Sequence, residues 1–286
     1  MPLIGSLVKA VTSWEFVTVV ILWVVFLSVE ALVPRIRYDR TKEHLALRVR
    51  RNITVGCIYR LAALPLLIAP VMLAASHISL WHRPAWMSGP AFLIVDFIIF
   101  DFGQYAMHWV FHRSKYLWRY HMVHHLDQHL DVTTGGRAHF VEHVILAWVS
   151  AAAVLIFAIP LHSVLIWQTL TFFFVLYLHI NVRVGQRLQR FGGLVFATPA
   201  FHDIHHGRKI EYTDSNYGFV LSIWDYLFGT YSTMTRPEGF SNGLDDHGDY
   251  SAAALTLNPM FRRGRPFREE ESVARAVRHT ALVVPT

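Results

Sequence analysis

Histidines are concentrated in one part of this 286-residue chain. The chain has 18 of them, and 13 lie between residues 108 and 206. Most of these stand three or four residues apart, in four sets: His108 and His112; His121, His124 and His125; His139 and His143; His202, His205 and His206. Residues at this spacing share one face of an α-helix. Each set is therefore predicted to point two or three imidazoles at one place.

Metal binding is the chemistry that such a pattern favours. Neutral imidazole is a ligand for iron, zinc, copper and nickel. So many imidazoles are too many for one ion, but they suffice for two ions with positions left open for dioxygen. An all-nitrogen shell brings no negative charge, which leaves the metal strongly oxidising and suits attack on an unactivated C–H bond. The single cysteine, Cys57, excludes an intrachain disulfide, a cysteine-ligated zinc site and an iron–sulfur cluster within one chain.

Local signals place helices around these histidines. Ser114 can cap a helix that carries the second set. Thr198 and Pro199 have the order of an N-cap followed by a first-turn proline, just before the fourth set. The pair Gly135-Gly136 is predicted to break the chain between the second and third sets.

The composition indicates an integral membrane protein. Hydrophobic residues make up 53% of the chain and charged residues only 16%, whereas soluble domains carry about 25% charged residues. Mean hydropathy is +0.34. Four or five spans are predicted, because the last two segments are short and can form a tilted hairpin. The apolar segments are 14–34, 53–75, 88–107, 144–159 and 161–180.

The basic residues predict the orientation of these spans. Residues 35–52 hold seven Lys and Arg residues, so this loop is expected in the cytoplasm, and residues 76–88, with Trp81 and Trp86 as interface anchors, are expected outside. Alternation then places 108–143 and everything after 181 inside, so that the histidine sets and the C-terminus are cytoplasmic. We attribute the net charge of +6 to this topology and to contact with anionic lipid headgroups, and not to nucleic-acid binding.

The histidine sets stand within longer motifs that resemble those of a known family. The first three are HWVFHR (108–113) with Asp101-Phe102 and Tyr105 before it, LWRYHMVHH (117–125), and TTGGRAH (133–139). They are followed by HIN (179–181), TPAFHDIHH (198–206), NYG (216–218) and WDYLFGTY (224–231). In this order and spacing they are similar to the boxes of the fatty acid hydroxylase / sterol desaturase superfamily of membrane di-iron enzymes. Two residues depart from the family pattern, Phe140 after His139 and Asp203 inside the third box.

The resemblance implies an all-α, integral-membrane helical bundle with a cytosol-facing, histidine-rich metal domain. The expected organisation is N-terminal spans and a basic loop over 1–87, the catalytic domain over 88–232, and a polar, partly irregular tail over 233–286. The expected ligands of two iron ions (Fe2+/Fe3+) are His108, His112, His121, His124, His125, His139, His179, His202, His205 and His206. Residues expected to hydrogen-bond these ligands from behind are Asp101, His143, Asn181, Asp203 and Asp214.

The implied activity is hydroxylation or desaturation of a lipid with O2 as co-substrate. No G-x-G-x-x-G motif is present, so electrons are expected from a separate donor, a reductase with a ferredoxin or cytochrome b5-like protein. The expected lipid is a sterol, a fatty acyl chain or another isoprenoid or alkyl chain. The alternatives are a metalloprotein without oxygenase activity, such as a bis-His cytochrome, a zinc hydrolase or a metal transporter. The oligomeric state stays open.

Overall fold

The computed structural model describes residues 14–36, 43–67, 69–185, 187–244 and 250–261. Within these ranges the protein is helical, and its only β-pairs are isolated bridges. Short turns lie at Ala85–Met87, Thr134–Gly136 and Leu188–Gly192. The described helices are α1 (Trp14–Leu32), α2 (Glu43–Leu67), α3 (Ala69–Ala75), α4 (Pro90–Arg113), α5 (Lys115–His125), α6 (Phe140–Phe157), α7 (Leu161–His179), α8 (Pro199–His205), α9 (Ile210–Thr213), α10 (Ile223–Phe228) and α11 (Ala252–Phe261).

Three of these helices, α4, α6 and α7, are long and apolar enough to cross a membrane. Less than a third of each apolar stretch is buried inside the protein. An apolar helix whose surface mostly faces outward belongs in lipid, because water would make that exposure costly. The three helices confirm the predicted apolar segments 88–107, 144–159 and 161–180. The predicted first span, 14–34, coincides with α1.

The predicted basic loop 35–52 is wrong from Glu43 onward. Helix α2 begins there and ends at Leu67, so it contains three of the seven basic residues and the start of the predicted second span. Arg48 explains the difference, since it is buried and forms ion pairs with Asp127 and Asp131. A charge that is paired inside the protein can be part of a packed helix, whereas the positive-inside rule treats every basic residue as solvated.

Helix caps position the histidine-bearing helices. Ser114 ends α4, and its hydroxyl accepts a hydrogen bond from Leu117 N at the start of α5. Thr198 caps α8 by accepting from Phe201 N, with Pro199 as the first helical residue. Both caps confirm the sequence predictions, because a side-chain oxygen satisfies a backbone N–H that a helix start leaves unpaired.

The apolar core joins the spans to the histidine-bearing segment. One buried cluster contains Phe100 of α4, Val154 of α6 and Trp167 of α7 together with Phe201 and Val220. A second cluster packs Leu255 of α11 against α2 and α5. The predicted irregular tail therefore contains one helix that is part of the fold, while residues 262–286 lie outside the described residues.

Candidate metal centre

Nine buried histidines form two adjacent groups. In each group the nitrogen atoms that could bind a metal lie within 4.8 Å of one another. The rings of His125 and His206, one from each group, have centroids only 4.4 Å apart. The five-histidine group is His108, His112, His121, His125 and His205. The four-histidine group is His124, His179, His202 and His206.

Helix periodicity distributes these side chains. His108 and His112 lie one turn apart near the end of α4 and enter the same group. His124 and His125 are neighbours at the end of α5, so they point about 100° apart and enter different groups. Helix α5 therefore supplies both groups. Helix α8 and the residue after it, His206, also supply both groups, and His179 at the end of α7 completes the smaller one.

Hydrogen bonds from behind fix the tautomer of five rings. A carbonyl or carboxylate oxygen accepts hydrogen bonds, so the ring nitrogen facing it must carry the proton. The other nitrogen, Nε2, then presents a lone pair to the centre of its group. The Nδ1 atoms of His108, His124, His179 and His205 face the carbonyls of Tyr217 (2.8 Å), Arg137 (3.0 Å), Val175 (2.6 Å) and Ser215 (2.6 Å), and that of His121 faces Oε1 of Glu142 (3.0 Å).

These tautomers show that the groups fit metal ions. His108 Nε2 lies 3.1 Å from His121 Nε2, and His124 Nε2 lies 3.0 Å from His179 Nε2. Neither nitrogen of either pair has a proton to share, so the contacts are repulsive unless a cation lies between the lone pairs. Two ligands at right angles on one ion, with metal–nitrogen bonds of about 2.1 Å, stand about 3.0 Å apart. The spacing is that of neighbouring ligands on one ion.

Burial keeps these imidazoles in the neutral form that binds metal. Desolvation lowers the pKa of His121 to about 3. The pKa of His124 is lowered to about 3, mainly by desolvation and to a smaller extent by electrostatic repulsion from the neighbouring His179. At neutral pH both rings are therefore unprotonated before any metal binds, so a metal does not have to displace a proton from them.

His139 is the predicted ligand that the structure does not bring to either group. It is the N-cap of α6, where its Nδ1 accepts a hydrogen bond from Val141 N (3.2 Å). Its Nε2 donates to the carbonyl of Thr256 (2.9 Å). Because the backbone engages both ring nitrogens, the geometry does not support the ligand prediction for His139. His143 also lies away from both groups, with its ring 4.1 Å from that of Tyr59.

The carboxylates and amide that were predicted to support the ligands have other partners. Asp101 accepts from Trp224 Nε1 (2.8 Å), Asn181 is bonded to the backbone of Ile36, and Asp203 pairs with Arg35 and Arg236. Asp214 comes nearest to a ligand, with Oδ1 3.6 Å from His112 Nδ1. This distance is longer than a hydrogen bond.

Glu142 is a supporting residue that sequence reasoning missed. It lies in the first turn of α6, is buried, and bonds His121. The sequence signal was available, since Glu142 is an acidic residue beside His143 in the third histidine set. The four supporting carbonyls gave no signal, because every residue carries one.

A buried polar cluster ties α2 to the four-histidine group. Asp127 Oδ2 accepts from Arg48 Nη1 and from Asn52 Nδ2, each at 2.7 Å. Arg137 Nη1 lies 3.8 Å from Asp127 Oδ1, and the carbonyl of Arg137 holds His124. Burial alone would raise the pKa of Asp127, but Arg48 and Arg137 hold it below its usual value. With Asp131 on Arg48, two positive and two negative charges balance.

The sequence of the chain is similar to those of several known lipid-oxidising enzymes. The chain is 31% identical to the ornithine lipid hydroxylase OlsE of Rhizobium tropici over 60% of its own length and 51% of that protein. It is 30% identical to alkylglycerol monooxygenase of Homo sapiens, over 53% of this chain and 32% of that one. It is also 30% identical to methylsterol monooxygenase 2-2 of Arabidopsis thaliana, over 58% and 63%.

The chain thus spans about half the length of the first of these relatives. No solved structure matches it. The fatty acid hydroxylase model matches residues 93–230, a segment that contains all nine grouped histidines. Residues 93–230 of this chain therefore belong to the fatty acid hydroxylase family.

Proposed function

We propose that the two histidine groups hold two iron ions and that the chain hydroxylates or desaturates a lipid with O2. The observation that carries this proposal is the convergence of nine buried imidazoles, in two groups, beside apolar spans. When bound there, iron supplies the activation of O2 that attack on an unactivated C–H bond needs. The three relatives named above act, by their names, on an ornithine lipid, an alkylglycerol and a methylsterol.

The protein's own residues orient the ligands and exclude water. The carbonyls of Tyr217, Arg137 and Ser215 fix ring orientation, so each Nε2 stays directed at its group before metal arrives. All nine rings are buried, which keeps bulk water from the reacting atoms. Because the chain has one cysteine and no nucleotide motif, the electrons come from a separate reductase with a ferredoxin or cytochrome b5-like protein.

The arrangement favours this reading over a bis-His cytochrome. Haem ligation needs two imidazoles on opposite sides of a flat macrocycle. Here four or five imidazole nitrogens converge in each group, and neighbouring ones lie only 3.0–3.1 Å apart, so imidazoles occupy directions that the four nitrogens of a porphyrin would need. The arrangement is also disfavoured as a membrane zinc hydrolase, because the usual motif of such enzymes, HExxH, does not occur in this sequence.

The proposal is tested with full-length protein in lipid nanodiscs. We expect about two metal ions per chain, in line with two separate groups, and product formation only when iron, O2 and an electron donor are all supplied. Lipids from a host with and without the gene identify the substrate class. Full turnover by a metal-free preparation would contradict the proposal. Zinc in overexpressed protein would not, since imidazoles bind zinc more tightly than ferrous iron.

The orientation is a separate proposal. We propose that the histidine groups and the C-terminus face the cytoplasm, because the C-terminal ends of α4 and α7 carry His108, His112 and His179, and basic residues flank them. A reporter inserted after residue 181 should then be cytoplasmic and one beside Arg83 external. The reverse pattern would contradict the orientation without affecting the metal proposal.

A further inference from the structure

An apolar surface next to α4 is formed by two segments outside the membrane spans. We call it the α10 face. Helix α10 exposes Ile223, Leu227 and Phe228, and Leu227 is 66% exposed. Between Phe219 and Tyr231 the only charged residue is Asp225, which is buried. The α10 face consists of Leu194, Val195, Phe196, Ile223, Tyr226, Leu227 and Phe228. A contiguous apolar surface of this kind marks contact with a partner or with lipid.

The depth of this face is set by its attachment to α4. Asp101 accepts hydrogen bonds from Trp224 Nε1 (2.8 Å), Val220 N (3.2 Å) and Leu221 N (3.2 Å). Asp101 precedes Arg113, the last residue of α4, by twelve residues, which is about 18 Å along a helix. Helix α10 therefore lies beside the apolar part of α4, and not beyond its end.

The outward surface of α4 continues into this face. Ile94, Ile98 and Phe102 recur every fourth residue and are all exposed, which identifies the lipid-facing stripe of the span. Phe102 lies against α10, with ring centroids 5.1 Å from Trp224 and 6.0 Å from Phe228. Lipid that covers the stripe would therefore also meet α10.

The irregular backbone of these segments is paired internally. Ser222 N donates to Val195 O and Ala197 N donates to Val220 O, both at 2.9 Å. The buried carboxylate of Asp225 accepts from Tyr217 N (2.8 Å) and Gly218 N (2.7 Å). Irregular chain is stable at membrane depth only when its polar groups are satisfied within the protein. The N–H groups of residues 194–197 and 220–222 all have such partners within the protein.

We propose that the α10 face is immersed in the acyl chains of the leaflet next to the histidine groups. The family boxes TPAFHDIHH (198–206) and NYG (216–218) lie between the two segments of this face, so they connect the histidine groups to segments that enter the bilayer from the same side. The proposal concerns membrane insertion only, so it does not depend on which metal is bound or which lipid is oxidised.

Fluorescent labels at single cysteines test this. The native cysteine, Cys57, is exposed and is first changed by Cys57→Ser. The label is then placed by Leu227→Cys or Phe196→Cys in full-length protein, at one chain per nanodisc so that a second copy cannot cover the face. We expect doxyl groups on the acyl chains to quench both labels, and aqueous iodide to leave both unchanged.

Two matched variants calibrate the result. Ile94→Cys reports the lipid-facing stripe of α4, and Glu211→Cys reports an exposed position on α9. Loss of fluorescence at Leu227→Cys and Phe196→Cys should match that at Ile94→Cys. Quenching by iodide, as at Glu211→Cys, would overturn the proposal and leave the face for water or a protein partner. Protection from both quenchers would also overturn it, because protein would then cover the face.

Discussion

Two adjacent histidines at the end of α5 point into different groups. His124 belongs to the four-histidine group and His125 to the five-histidine group, although they are neighbours in the sequence. The same division separates His205 from His206 after α8. The two groups are therefore built from shared elements, and a rotation of either helix would disturb both of them.

The first prediction concerns the ligands. His125→Ala and His205→Ala should each reduce turnover to background and lower the metal content by roughly half, because one group loses an imidazole that water cannot replace in geometry or donor strength. Metal analysis and turnover of purified protein check this. His162→Ala, at an exposed position on α7, is the matched control. Substantial activity in both ligand variants would remove these groups from the proposed centre.

The second prediction concerns Glu142, whose carboxylate accepts from His121 Nδ1. Glu142→Ala should weaken metal affinity about 10- to 100-fold, because the ring loses the partner that fixes its tautomer. Glu142→Gln keeps an oxygen acceptor and should lose less. Competition with a chelator measures the affinity, and Glu211→Ala, at an exposed carboxylate, serves as control. Equal affinity in all three variants would show that Glu142 does not support the ligand.

At this scale the sequence predicts ligand types better than their partners. Spacing identified eight of the nine grouped histidines, and the ninth, His179, was predicted from the family resemblance. Spacing also proposed His139, since an i, i+4 pair looks the same whether the first residue binds metal or caps a helix. The supporting carbonyls belong to residues such as Ser215 and Val175, which only the folded chain brings near the rings.

Helix α2 contacts the segment that carries the four-histidine group, although it lies outside the family match. The third prediction is that Arg48→Met destabilises the protein by about 3–5 kcal/mol, because the buried Asp131 loses its guanidinium and Asp127 keeps only Arg137, at 3.8 Å. Unfolding in mixed micelles measures the loss. Arg50→Met, at an exposed position on the same helix, should change little. If both variants lose the same stability, the buried pairs contribute nothing beyond a surface charge.

The fourth prediction concerns the glycine turn between α5 and α6. A Cβ at Gly135 would lie 2.8 Å from both Val175 O and Val175 Cγ1, and 3.2 Å from His179 Nδ1. Gly135→Ala should therefore displace His179, reduce metal occupancy and cost about 1–3 kcal/mol from overpacking. Gly103→Ala is the control, since its Cβ would make an ordinary 3.5 Å contact with Val149. Unchanged occupancy in Gly135→Ala would contradict the prediction.

Element boundaries were predictable where caps mark them and were missed where pairing decides them. Ser114 and Thr198 carry their signal in the side chain itself. The start of α2 at Glu43 carries none, because the burial of Arg48 depends on Asp127, 79 residues later. Similarly, the sequence identified Gly135-Gly136 as a break, but not the closeness of Val175 that makes a side chain at Gly135 unacceptable.

For the whole molecule, burial of neutral histidines predicts a pH dependence of the metal-free protein. The pKa values of His121 and His124 are about 3 in the folded state because of burial, against 6.5 when exposed. Below about pH 6.5 these histidines therefore bind protons in the unfolded chain but not in the folded chain. The free energy of unfolding consequently falls as pH decreases, and the histidines leave it constant above about pH 7.5.

Thermal unfolding of chelator-treated protein checks this fifth prediction. The melting temperature should fall between about pH 7.5 and about pH 6, a range above the pKa of the buried Asp225, which burial raises to about 6. His124→Asn, which removes one of the titrating rings, should show a shallower fall. A melting temperature that is constant over this range would mean that these rings are accessible to protons in the folded state.

The fold class was predictable at this scale because long apolar helices and helical spacing are properties of the sequence alone. The number of spans was harder, since four or five were predicted and three helices among the described residues meet the length and composition that a span requires. The predicted second span is divided between α2, which also contains charged residues, and the short helix α3. Both helices pack against α6, and α2 also contacts the turn before it.

The junction at Ser114 has no spare length. One residue ends α4 and caps α5, so the chain between two histidine-bearing helices is a single position. Insertion of one more residue into either helix would turn everything after it by about 100° and shift it by about 1.5 Å. Substitutions can be absorbed near this point, but insertions and deletions cannot. In any chain built on this plan, length variation is expected to collect elsewhere, and the interval between His112 and His121 is expected to stay constant.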